Sequence, residues 1–125
     1  MRFPLLLALP LLAACVEEPV SGSAAFMEDC ALCHGSDAKG SGPIANDLDV
    51  KPADLTRIAA RNGGIFPRDE VMSRIDGYGL DGGVMPEFGA GDMGDTVVVE
   101  GEDGLGTPVP ARLLALTDYL QSLQQ

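Results

Sequence analysis

The chain has 125 residues, room for one domain, and carries 19 acidic against 8 basic side chains for a formal net charge of −11. That balance excludes nucleic-acid binding, because phosphate contacts need clustered Lys and Arg. Three cysteines and one histidine are present, and CALCHG, residues 30 to 35, holds two of the cysteines and the histidine.

The first fourteen residues, MRFPLLLALPLLAA, stand apart from the rest. Arg2 supplies a short positive region, and Phe3 to Leu12 is almost wholly apolar. A bilayer span needs about 20 apolar residues, so this run is too short and reads as a secretory leader. Leu12-Ala13-Ala14 followed at once by Cys15 resembles the lipobox of bacterial lipoproteins. The resemblance implies cleavage before Cys15, acylation of its sulfur, and anchoring to a lipid membrane on the periplasmic side of a bacterium. Two or more acyl chains give a stable anchor. Val16 is not the aspartate that often retains lipoproteins at the inner membrane, a sorting rule that varies among bacteria, so inner and outer membrane both stay open. The alternative is a soluble secreted chain with an odd cysteine. Loss of Arg2 with the leader leaves seven basic against nineteen acidic residues, about −12, which suits basic partner surfaces or simple solubility.

Residues 15–23 then form the anchor cysteine and a polar, Pro/Gly-containing tether, and 24–125 the domain. A helix is expected to begin near Ser21 or Ser23 and to run through AAFMEDCALCH to a stop at Gly35. Residues 35–51 read as loop. Pro52 fits the first turn of a second helix, with Leu55, Ile58 and Ala59 at helical spacing before Gly63-Gly64. Pro67 starts a third, carrying Val71, Met72 and Ile75 on one face and closed by Gly77. Glycine is too frequent from 77 to 94 for a regular element. TVVVE and LGTPVP, with GEDG between them, suggest a small β-hairpin near 96–109. The last segment, from Ala111, aligns Leu113, Leu116, Leu120 and Leu123 on one side of a helix. The expected fold is all-α, about four short helices and long loops, whose small core needs a staple such as a large bound cofactor.

Three chemistries compete for Cys30, Cys33 and His34. A zinc site needs four ligands, and the fourth would have to be a distant carboxylate. A thioredoxin-type dithiol follows a strand in a βαβ setting, whereas a helix precedes this pair. C-x-x-C-H is also the attachment pattern of c-type haem. Two cysteines three apart lie on one side of a helical turn, so both sulfurs reach the vinyl groups at one porphyrin edge. The adjacent histidine then falls beneath the iron. Export fits, since bacteria attach such haem outside the cytoplasm, and the haem reading is the best of the three.

With these residues the chain resembles a small monohaem class I cytochrome c. In that family a glycine and an aromatic precede the first cysteine by eight and four residues, here Gly22 and Phe26. The resemblance implies that their helix crosses a C-terminal helix bearing Tyr119-Leu120, the glycine allowing close backbone approach. Gly42-Pro43 resembles the loop whose proline carbonyl accepts the other N–H of the proximal histidine, a bond that fixes the ring.

A second axial ligand has four candidates beyond Met1: Met27, Met72, Met85 and Met93. Met27 lies one turn before Cys30, too near the attachment site to reach the far haem face. Met72 sits at core spacing, and Met93 in an acidic, glycine-rich loop without an apolar neighbour. Met85 lies in GGVMPEFG, where glycines let the backbone pass close to a porphyrin, Pro86 stiffens the loop and Phe88 can cover the haem edge. Met-Pro with a nearby aromatic also resembles the family's distal motif; the plain alternative is a methionine filling a gap in the core. Arg57, Arg61 and Tyr78 are candidates to meet the haem propionates, against the alternative of a solvated surface. The acidic stretch 92–103 is a docking surface for a basic redox partner or a solvated loop.

Histidine–methionine ligation raises the reduction potential and leaves no open coordination position. The reading is therefore a carrier of single electrons through one covalent haem c, not an enzyme. Its alternatives are a haem-bearing subunit of a membrane-bound oxidoreductase, and a sensor or enzyme with an open distal site.

Overall fold

The computed structural model describes residues 19–78, 83–100 and 104–125. The leader, Cys15 and most of the tether lie outside these residues, as do Glu102 and Asp103 of the acidic stretch. Among the described residues the chain is mostly helical, with five α-helices and a two-stranded antiparallel sheet. Among the described residues, no helix is long and apolar enough to cross a membrane.

Helix α1, Gly22–Asp29, is capped by Ser21, whose Oγ accepts from the Ala24 N–H at 3.3 Å. The expected single helix to Gly35 is divided at Cys30 (φ −116°, ψ −33°), and α2, Ala31–His34, follows. Gly35 ends it with φ +79°, a conformation that favours a residue without a β-carbon. Asp54 caps the next segment through Oδ1, which accepts from both the N–H and the hydroxyl of Thr56. This tight cap winds Leu55–Arg57 as a 3₁₀ turn before α3, Ile58–Arg61, so Pro52 stands outside any helix.

Helix α4, Arg68–Asp76, starts after Pro67, buries Val71 and Ile75, and ends at Gly77. The hairpin forms as expected: β1, Thr96–Glu100, pairs with β2, Gly106–Pro110, in the register Val97 to Val109 and Val99 to Thr107. Helix α5, Ala111–Ser122, grows directly out of β2. Its first two N–H groups are met by the segment just before β1: Ala111 N–H donates to the Asp95 carbonyl at 2.7 Å and Arg112 N–H to that of Met93 at 3.0 Å.

The core lies where α1 and α5 cross and α4 packs against α5. Phe26, Leu116 and Thr117 are its largest fully buried side chains. Phe26 meets Tyr119 with ring centroids 5.4 Å apart and planes at 52°. Thr117, a polar residue inside this interface, turns its hydroxyl back to the Leu113 carbonyl at 2.8 Å.

Candidate haem-attachment site

The attachment motif is held by the loop that follows it. Gly40 N–H donates to the His34 carbonyl at 2.7 Å, Gly42 N–H to Cys33 at 3.0 Å and Ile44 N–H to Leu32 at 3.2 Å. The loop runs so close to α2 that a β-carbon on Gly42 would lie 2.3 Å from the Leu32 carbonyl oxygen. Only glycine fits there without displacing the loop from the motif.

The other ring contact differs from the expected one. His34 Nδ1 lies 3.0 Å from the carbonyl oxygen of Ala53, not against that of Pro43, which is exposed. A carbonyl only accepts, so Nδ1 carries the proton and Nε2 keeps its lone pair for a metal. The bond reaches Ala53 because the chain returns to α2 just before the Asp54 cap, with Leu55 N–H donating to Ala38 at 2.7 Å.

Cys30 is buried and Cys33 half-buried, and no disulfide joins them. Burial pushes the Cys30 thiol up to about 12, the Asp29 carboxylate acting in the same direction and Arg112 against it. At neutral pH it is a protonated thiol, unsuited to the thiolate chemistry of a redox dithiol. Among the described residues, no three His, Cys, Asp or Glu side chains gather to hold a metal ion, short of the four ligands of a structural zinc site. Two unbridged thiols on adjoining turns and one imidazole nitrogen free to coordinate are a donor set that fits covalent haem.

Arg112 braces the motif from α5. Its Nε and Nη2 both donate to Asp29 Oδ2, at 2.9 and 2.8 Å, and Nη2 also donates to Glu28 Oε2 at 2.8 Å. These bonds, Glu28 first, raise the guanidinium pKa further and join the residues just before Cys30 to the start of α5.

The methionines are distributed differently from the sequence expectation. Met93 has apolar neighbours after all: it is 7% exposed and belongs to the core, drawn inward by the bond between its carbonyl and Arg112 N–H. Met85 and Phe88 are half-buried and pack against the same core. Their loop is fastened to the end of α4, since a β-carbon on Gly77 would sit 2.5 Å from Glu87 Cβ, and one on Gly89 would sit 2.0 Å from Asp76 Oδ1. Met72 packs on the core and Met27 faces solvent.

The remaining candidates are more scattered. Arg61 Nη1 donates to the Asp54 carbonyl at 2.9 Å, Arg57 is exposed, and Tyr78 is 82% exposed. Two participants escaped sequence reasoning. Ala53 acts through its carbonyl, which leaves no mark in the sequence. Arg112 had a signal, as a lone cation in an apolar helix within a strongly acidic chain.

Fold and motif together describe a small helical domain arranged for a covalently held porphyrin. The family model described as Cytochrome c matches residues 20–124, and the chain belongs to the cytochrome c family. It is a haem-binding electron-transfer protein whose cofactor is covalent c-type haem. No curated protein and no solved structure matches it.

Proposed function

We propose that this chain is an exported, lipid-anchored carrier of single electrons, holding one haem through Cys30 and Cys33 with His34 and Met85 as axial ligands. The observation that carries this reading is the His34 ring, its Nδ1–H committed to Ala53 and its Nε2 left to coordinate beside two unbridged thiols. When bound, the haem supplies a reversible one-electron couple. The Ala53 carbonyl orients the imidazole and strengthens it as a donor. Met85, presented by a loop wedged on α4 and packed on the core, offers a thioether that favours the reduced state. Met93 shares that core, so the choice of Met85 rests on its setting in GGVMPEFG.

The chain's only histidine is used as a ligand, leaving no second imidazole for acid–base work, which supports a carrier over an enzyme. The leader and Cys15 support export and a lipid anchor, and the acidic surface suits basic redox partners.

The test is the optical spectrum of protein made in a haem-maturing host, in both oxidation states, with and without carbon monoxide. A thioether-type haem spectrum, a ferric sulfur-to-iron band lost in Met85→Ala but kept in Met93→Leu, and indifference to carbon monoxide are expected. Loss of the band in Met93→Leu alone would make Met93 the ligand. Ready binding of carbon monoxide would favour a sensor or enzyme, and absence of covalent haem would end the proposal. For the anchor, Cys15→Ser is expected to move the protein from the membrane to the soluble fraction.

A further inference from the structure

A groove of about 1060 Å³ runs between the hairpin, α4 and the start of α5, lined by none of Cys30, Cys33, His34 or Met85. Its floor is apolar, with Phe66, Met72 and Val99 half-buried in it. At its margins Ile65 is 73% and Tyr78 82% exposed. Carboxylates frame this apolar floor. Asp69, Glu70 and Asp76 from α4 and Glu100 from β1 supply the frame. Among the described lining residues the one cation, Arg68, is directed to α5, where Nη1 donates to Gln121 Oε1 at 2.8 Å and Nη2 pairs with Asp118.

We propose that this groove docks a cationic segment of a partner protein that carries apolar side chains between its lysines or arginines. The charge selects the occupant. A second copy of a chain with net charge −11 would bring like charges together, and an anionic lipid surface would meet the same carboxylates. A basic polypeptide instead pairs with both walls while its apolar side chains cover Ile65 and the floor. This deepens the reading of an acidic carrier with basic partners by giving the contact a place. That place is distinct from the 92–95 end of the acidic stretch.

The probe is a short synthetic peptide of alternating lysine and leucine, compared with a lysine–serine peptide of equal length and charge. Binding to the haem-loaded protein is read by fluorescence anisotropy of the labelled peptide. The lysine–leucine peptide is expected to bind more tightly. Glu70→Gln with Glu100→Gln, one from each wall, is expected to weaken it about tenfold, each exposed pair contributing modestly. Asp47→Asn with Asp49→Asn, removing the same charge elsewhere, should change it by less than about twofold. Ile65→Ser should weaken only the leucine peptide. Equal weakening by the two double variants, or equal binding of the two peptides, would mean diffuse attraction to an acidic surface and overturn the proposal. Dimerisation in sedimentation that Ile65→Ser abolishes would assign the groove to a second copy and also overturn it. The peptide affinity of Met85→Ala holoprotein is expected to match wild type, so the groove stands or falls independently of the ligation.

Discussion

Gly22 and Ala115 bring α1 and α5 into backbone contact: a β-carbon on Gly22 would lie 2.1 Å from the Ala115 carbonyl oxygen and 2.8 Å from its carbon. The obstacle is main chain, which no rotamer change relieves. Gly22→Ala is therefore expected to push the helices apart and destabilise the protein by about 3 kcal/mol. Ala115→Gly, which leaves the carbonyl in place, should not restore it. Restoration in the double variant, measured by thermal or denaturant unfolding, would show that a side chain was the obstacle.

Arg112 forks onto Asp29 and Glu28, with its side chain about a quarter exposed. Arg112→Ala leaves Asp29 without its cation and is expected to cost about 1–2 kcal/mol. Arg112→Lys keeps the charge but not the two-pronged geometry, so it should recover less than half of that loss. Full recovery by lysine in equilibrium unfolding would reduce the contact to simple charge proximity.

Gln124 fastens the end of α5 to the segment after the proximal loop. Its Nε2 donates to Leu55 at 2.9 Å and Leu120 at 2.7 Å, while Oε1 accepts from Ala59 N–H at 2.9 Å. Gln124→Ala is expected to lose about 1–2 kcal/mol. Gln124→Glu should be worse at neutral pH, because a carboxylate oxygen then faces two carbonyls. A glutamate variant as stable as wild type at pH 7 would contradict this geometry.

Asp54 sits next to the carbonyl that holds His34, and its hydrogen bonds from the Thr56 hydroxyl, then the Thr56 N–H, keep its carboxyl below the usual range. A depressed pKa means that the folded state binds its proton less readily than the unfolded chain. The contribution is thus complete above the ordinary carboxylate range and disappears as pH falls through the folded value. The stability gap between wild type and Asp54→Asn should be flat above about pH 5 and narrow on acidification. A gap that stays constant into strong acid would remove Asp54 from the cap.

Much of the helix pattern was legible because it depends on neighbours in the chain. Ser21 as a cap, Gly35 and Gly77 as stops, and the leucines of α5 act through spacings of a turn or less. The division at Cys30 and the 3₁₀ turn at Leu55 were not legible, because nearby residues equally suit continuous helix and only packing chooses.

The sequence by itself determined the attachment motif, since two thiols three apart with an adjoining imidazole have that spacing in any fold. It also determined the hairpin, through two β-rich segments around a turn. Tertiary structure alone decided that Ala53 rather than Pro43 meets His34, that Met93 enters the core, and that Arg112 reaches Asp29. Each joins groups 19 or more residues apart or turns a loop residue inward. Such choices depend on which backbone groups lie within hydrogen-bond reach once the helices cross, and local spacing carries no record of that.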